Sequence, residues 1–297
     1  MLLTSARLQD NLHVEFIITH KKSQEITMRY TARLILAFTT LFFVITSNLY
    51  AADNSPVLSR IQKSGKLVLG TSGSMPLMSE KTMTGEVIGY DIDMANALAE
   101  SMGVELVTKV LPFEDLIPAL ESGKVDIVLS NMTMTVDRNM RVAFAGPYFV
   151  SGKCLVTKEE AMAKADEPAD LKDADLTIAV VSGTTSENFV KELLPDLKRI
   201  AVADADEGTK LVSNGKAKAM LTDFPICLSV MKRYPDSGFQ SVVSLLTYEP
   251  IGIALPANDP LFVNLAENFL LRAENVGVTT ALTLKWFGNA KLTAIAE

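Results

Sequence analysis

The sequence predicts an α/β fold built on largely parallel sheets. Short apolar strand-like runs alternate with helical stretches, turn residues fall at the junctions, and the alternation restarts after a charged, proline-containing stretch at residues 163–175. Residues 67–71 (LVLGT) read as a buried strand. Residues 91–102 (DIDMANALAESM) place Ile92, Ala95, Leu98, Ala99 and Met102 on one helical face, with acidic residues in the first turn and Gly103 as the stop. A strand follows at 105–110, a helix at 114–122 with Pro118 near its start and Gly123 beyond its end, and a buried strand at 125–129. In the second half, strands are expected at 176–181, 200–203, 217–221 and 249–256. Helices are expected from 185 through Leu194, at 207–213, from Asp223 towards Arg233, and at 262–274 and 279–287. Two α/β units of ordinary domain size account for this pattern.

Hydrophobic residues make up 48% of the 297 positions and charged residues 21%, enough apolar material for a folded core. The formal net charge is −7, and no basic cluster offers a surface to phosphates, so nucleic acid is not an expected partner. The only histidines, His13 and His20, lie near the start. The body therefore lacks the side chain needed for histidine general bases, Ser-His or Cys-His triads and histidine-ligated zinc. No cofactor or metal is implied.

Residues 1–52 read as a targeting segment. Arg29 and Arg33 precede an apolar run at 34–45 (LILAFTTLFFVI), followed by polar residues and the small pair Ala51-Ala52. Basic, apolar and small residues in that order describe a secretory signal peptide. Met28 stands as a candidate true start. The run is short of the ~20 residues that span a bilayer. The expected product is a soluble exported protein. Export permits a bridge between Cys154 and Cys227. However, Cys154 lies in a strand-like run and Cys227 on a helix, and two separate buried thiols are the expectation.

Two strand-to-helix junctions offer chemistry. At Gly183-Thr184-Thr185, helix-terminal N–H groups and two hydroxyls suit an anion, and they equally suit simple capping. At residues 130–138 (SNMTMTVDR), a polar stretch follows a buried strand, the place where open α/β sheets bind ligands. Arg138 there offers a planar fork for a carboxylate.

Residues 89–102 (GYDIDMANALAESM) resemble the signature segment of the family-3 periplasmic solute-binding proteins, the polar amino acid receptors of ABC importers. The likeness continues through 113–120 (FEDLIPAL), 123–126 (GKVD), 132–138 (MTMTVDR) and 142–148 (VAFAGPY). It extends to Gly183-Thr184-Thr185, Thr222-Asp223 and Gly252-Ile253-Ala254, in order from about residue 60 to 290. The resemblance implies a two-lobed, type II periplasmic-binding-protein-like fold with a two-strand hinge and an interlobe ligand cleft. One lobe is expected from residues 53–150 plus 247–297 and the other from 151–246, with hinge crossings near 149–155 and 244–251. It implies Arg138 for a ligand α-carboxylate, Thr133 as the hydroxyl beside it, and Asn131 as the position whose backbone carbonyl takes an ammonium hydrogen. Phe113 is implied as the aromatic packing on the ligand, Thr184 and Thr185 as the second lobe's carboxylate-binding helix start, and Asp223 as the carboxylate for the ammonium. Given the resemblance, binding is favoured over capping at Thr184–Thr185. The charges make sense unaided, since a zwitterion needs one fixed cation and one fixed anion.

Two departures from the family pattern bear on the ligand. Ser74-Met75-Pro76-Leu77-Met78 replaces the usual aromatic pair, with Met75 supplying a softer apolar wall. Ser72 stands where receptors for basic amino acids often carry an acid, so a polar or neutral amino acid is expected. The expected function is that of a non-enzymatic, monomeric receptor that closes on its ligand and docks on an inner-membrane ABC permease. The alternative is a cyclohexadienyl dehydratase-like enzyme on the same fold, with Glu187 or Asp223 as its acid.

Overall fold

The computed structural model describes residues 55–164, 176–241 and 247–288. The expected leader and most of the charged stretch at 163–175 lie outside the described residues. In chain order the elements are α1 (Pro56–Ser64), β1 (Lys66–Thr71), β2 (Ser74–Met75), β3 (Ser79–Lys81), β4 (Val87–Ile88), α2 (Tyr90–Met102), β5 (Glu105–Val110), α3 (Leu116–Glu121), β6 (Ile127–Val128), α4 (Val136–Asn139) and β7 (Ala143–Ser151). They continue as β8 (Lys153–Thr157), β9 (Thr177–Val181), α5 (Thr185–Leu193), β10 (Lys198–Val202), α6 (Ala205–Ser213), β11 (Ala219–Asp223), α7 (Phe224–Arg233), β12 (Gln240–Ser241), β13 (Glu249–Leu255), α8 (Pro260–Asn275) and α9 (Val278–Phe287).

The strands form two five-stranded sheets, ordered β5-β1-β6-β13-β7 and β10-β9-β11-β8-β12, plus a small β2-β3-β4 sheet. In the first sheet β1 runs parallel to β5 and β6, while β13 is antiparallel to β6 and β7. In the second, β9 runs parallel to β10 and β11, while β8 is antiparallel to β11 and β12. Each sheet anchors one lobe. The chain passes between them from β7 to β8 through Gly152 and returns on β13, where Glu249 faces Ser151 across the ladder.

The apolar pattern explains the layers. In α2, Ile92, Ala95, Leu98 and Ala99 are buried, and Gly103 closes the helix in the left-handed conformation at φ 69°. Gly89, which precedes α2, has φ 142°, and a Cβ there would lie 2.0 Å from the carbonyl oxygen of Met78, so no larger residue fits. Asp259 sits at the starts of two helices distant in sequence. Its carboxylate accepts from Val57 N at 2.8 Å, Leu58 N at 2.9 Å and Phe262 N at 3.0 Å, and from the Ser55 hydroxyl. These amides would otherwise lack helical partners, and the dipoles of α1 and α8 both favour a negative charge there.

The two cysteines are bridged, which corrects the expectation of separate thiols. Cys154 on β8 faces Thr222 of β11 in register, and α7 starts immediately after β11. That turn brings the first helical turn, with Cys227, back over β8, so the Cα atoms stand 6.6 Å apart, within bridging range. Strand register decides this pairing, and sequence spacing does not reveal it.

Several element boundaries also differ from the sequence reading. The expected helix at 114–122 is a 3-10 turn at Phe113–Asp115 followed by the shorter α3, because Pro118 cannot donate to the first turn. The small β2-β3-β4 sheet has strands of only two or three residues, too short to show a period.

Candidate functional site

The parallel strands of both sheets end towards one region. Ser72 follows β1, Ser130 and Asn131 follow β6, Ser182-Gly183-Thr184 follows β9, and Asp223 ends β11. The carboxyl ends of parallel strands are where open α/β sheets leave backbone groups free for ligands.

From the first lobe, Arg138 reaches this region out of the short helix α4, whose N-cap Thr135 accepts from Arg138 N. Its guanidinium donates to the carbonyl of Thr133 at 2.9 Å and, across the lobes, to the carbonyl of Gly183 at 3.3 Å. It lies 5.4 Å from the Phe113 ring centroid, a cation–π distance. Burial pulls the Arg138 pKa down, while the charges of Asp223 and Glu249 push it back up. Thr133 is buried and bridges Ile251 on the returning strand.

Asn131 adopts φ 49°, unusual for a residue other than glycine, and places its amide between the lobes. Its backbone N–H donates to Asp91 Oδ2 at 2.8 Å and its Nδ2 donates to Asp223 Oδ2 at 2.9 Å. Its Oδ1 is buried and has no hydrogen-bond partner among the described residues. Asp91 is fully buried and also accepts from Tyr148 OH at 2.7 Å. Burial raises the Asp91 pKa to about 6, against the lowering effect of those two hydrogen bonds.

From the second lobe come Asp223, Thr184 and Thr185. Asp223 is buried, which raises its pKa; Lys153 and Arg138 oppose that, whereas Glu249 adds to it. Lys153 donates to Asp223 Oδ1 at 2.5 Å and to Thr185 Oγ1 at 2.6 Å, and it stands 3.4 Å from Glu249 Oε1. Thr184 caps α5 by accepting from Glu187 N at 3.3 Å, and the Glu187 carboxylate accepts in return from Gly183 N at 3.0 Å, a reciprocal arrangement of the capping-box kind. Capping is thus realised at Thr184, while Thr185 faces the ionic cluster.

Ser72 and Ser130 bond to one another, with the Ser130 hydroxyl donating to Ser72 Oγ at 3.0 Å and Ser72 N donating to Ser130 Oγ at 3.0 Å. Met75 and Phe113 are buried. The geometry therefore brings Arg138, Thr133, Asn131 and Asp223 together, with Phe113 against the guanidinium and Thr185 sharing Lys153 with Asp223. The lobes also meet where a Cβ on Gly183 would lie 3.0 Å from Glu114 Cβ, and where Arg233 of α7 pairs with Glu80 of β3.

Sequence reasoning misses Lys153, Glu249 and Asp91. The available signals are a lysine heading the otherwise apolar run KCLVT, a glutamate heading EPIGIALP, and an aspartate beside the buried face of α2. By sequence alone, the last reads only as a charge complementing the helix dipole.

A two-lobed α/β fold with a charged site between the lobes defines a type II periplasmic-binding-protein-like architecture. Residues 67–289 match the model of the bacterial extracellular solute-binding proteins, family 3, and the chain belongs to that family. It is 29% identical over 200 residues to a glutamine-binding protein of Geobacillus stearothermophilus, covering 66% of this chain and 74% of the relative. It is 30% identical over 192 residues to a cyclohexadienyl dehydratase of Pseudomonas aeruginosa, covering 64% and 70%. Among solved structures it is similar to the ancestral amino acid-binding protein AncCDT-1, a precursor of cyclohexadienyl dehydratase. The TM-score there is 0.71 at 36% identity, covering 77% of this chain and 99% of that one. These relatives correct the expectation of a non-enzymatic chain. One is an enzyme and another is the precursor of such an enzyme, so membership of the family does not exclude catalysis.

Proposed function

We propose that the protein captures an amino acid between its lobes and presents it to an inner-membrane ABC permease. The observation that carries this reading is that two opposite charges come to one site from opposite lobes, Arg138 donating across the lobes to the Gly183 carbonyl at 3.3 Å and Asp223 accepting across them from Asn131 Nδ2 at 2.9 Å. A ligand carrying both a carboxylate and an ammonium satisfies both at once and favours the closed arrangement by binding it better. The orphan acceptor Asn131 Oδ1 supports an additional N–H donor on the ligand. The neutral Ser72–Ser130 pair and the apolar Met75 support a polar or neutral side chain rather than a basic one. The basic–apolar–small order of residues 29–52 supports export to the periplasm.

A dehydratase reading is favoured by one specific finding, the similarity to the Pseudomonas enzyme. Of its two candidate acids, Glu187 is the poorer proton donor. Burial raises its pKa, but the bond from Lys191, the bond from Gly183 N and the charges of Lys191 and Arg199 outweigh burial and leave it lowered. Asp223 is raised, the direction a general acid needs.

Calorimetric titration with the twenty common L-amino acids, alongside an assay for water loss from a prephenate-like substrate, tests both readings. One-to-one binding of an uncharged amino acid is the expected result. Binding confined to lysine, arginine or histidine would contradict the side-chain assignment, and turnover would favour the dehydratase.

A further inference from the structure

We propose that Glu249, a residue of the returning hinge strand, sets the demand of the site for a ligand that carries an ammonium group. The inference rests on the amino-acid reading above. Lys153 is wholly buried and is engaged by the chain itself: it donates to Asp223 Oδ1 at 2.5 Å and to Thr185 Oγ1 at 2.6 Å, and it forms an ion pair with Glu249 Oε1 at 3.4 Å. Lys153 is therefore a shared internal cation and not a contact for the ligand. Glu249 is held by protein groups on both oxygens, with Thr247 Oγ1 donating to Oε1 at 3.0 Å and Thr185 Oγ1 donating to Oε2 at 3.2 Å. It acts on the ligand through its own charge, which offsets that of Lys153.

The formal charges of the site are then Arg138 and Lys153 against Asp223 and Glu249, which sum to zero. A zwitterion leaves that balance intact. A 2-hydroxy acid brings only its carboxylate and leaves one excess negative charge in a partly buried site, which low polarisability penalises. Neutralising Glu249 would turn the balance positive and favour the hydroxy acid. Neutralising Lys153 would turn it negative and disfavour the hydroxy acid further. Neutralising both would restore zero, leaving Arg138 against Asp223. Asp91, which holds Asn131 from behind, is unchanged in all four proteins and drops out of the comparison.

The test uses matched pairs at pH 8: L-leucine and L-2-hydroxyisocaproate, L-phenylalanine and L-3-phenyllactate, L-alanine and L-lactate, and L-glutamine and its 2-hydroxy analogue. Calorimetry or thermal shift gives the amino-to-hydroxy affinity ratio for the wild type, Glu249→Gln, Lys153→Met and the double variant. Taking each unit of charge imbalance as worth about tenfold, the ratio should fall about tenfold in Glu249→Gln and rise about tenfold in Lys153→Met. In the double variant it should return to within about threefold of wild type. A merely structural role for Glu249 would not produce a rescue by removing its own partner. If Glu249→Gln fails to fold, the fall in the ratio from Lys153→Met to the double variant, which differ only at Glu249, carries the test. An unchanged ratio in whichever single variants fold, or a double variant that keeps the Glu249→Gln ratio, overturns the proposal. If the wild type binds no L-amino acid of these pairs or of the full set of twenty, the amino-acid reading itself fails, and this inference falls with it.

Discussion

Asn131 Nδ2 donates to Asp223 Oδ2 at 2.9 Å, joining residues 92 positions apart at the ends of strands in different sheets. The bond needs Asn131 in its left-handed conformation, and Asp91 holds it there by accepting its backbone N–H. The site is thus built in layers: Asp91 orients Asn131, Asn131 meets Asp223, and Lys153 and Glu249 set the charge behind Asp223.

Asp91 gives that arrangement a pH signature. Its pKa is raised from 3.8 to about 6 by burial. A folded-state value above the unfolded one contributes stability that is fully present below pH 3.8 and lost as pH rises through about 6. The shift corresponds to roughly 3 kcal/mol. Asp91→Asn removes this titration. Urea unfolding of both proteins from pH 4 to pH 7 should therefore show their stability difference moving by roughly that amount in favour of the variant. A difference independent of pH would refute the assignment.

How much of this is legible in the sequence depends on the kind of interaction. The amphipathic face of α2 and the Gly103 stop are local, and residues 90–102 are helical much as periodicity requires. Arg138, Asn131 and Asp223 emerge through an ordered resemblance that marks positions by type. Lys153 and Glu249 do not emerge, because their meaning comes only from each other. A lysine in an apolar strand is intelligible once β8 and β13 bring it to two carboxylates. The Cys154–Cys227 bridge escapes for the same reason, since register between β8 and β11 has no signature at a sequence separation of 73.

That bridge ties the strand carrying Lys153 to the helix that follows Asp223. It closes a long loop, and cross-links of this kind are worth about 2–4 kcal/mol through the unfolded chain. The Cys154→Ala/Cys227→Ala double variant should lose about that much in denaturant unfolding, and reductant should no longer affect its stability. Equal sensitivity of variant and wild type to reductant would count against the bridge as the source.

Gly183 lies at the contact between the lobes. Its φ is +73°, and a Cβ added there would stand only 3.0 Å from Glu114 Cβ, so Gly183→Ala strains the backbone and pushes on the opposite lobe. Left-handed alanine costs on the order of 1 kcal/mol in stability, so ligand binding should weaken by more than that if the contact belongs to the closed form. Calorimetric affinity and unfolding free energy measured together separate the two effects. A loss in stability with no loss in affinity would remove Gly183 from the closure contact.

The most direct test concerns Arg138, whose guanidinium faces both the Gly183 carbonyl and the charge of Asp223. Take the L-amino acid that binds the wild type most tightly and titrate it calorimetrically into Arg138→Ala. Loss of a charge-assisted carboxylate contact in a partly buried site predicts a weakening of roughly 2–5 kcal/mol, from tens to thousands of fold in Kd. Unchanged affinity would contradict the claim that the two lobes grip a ligand by its opposite charges.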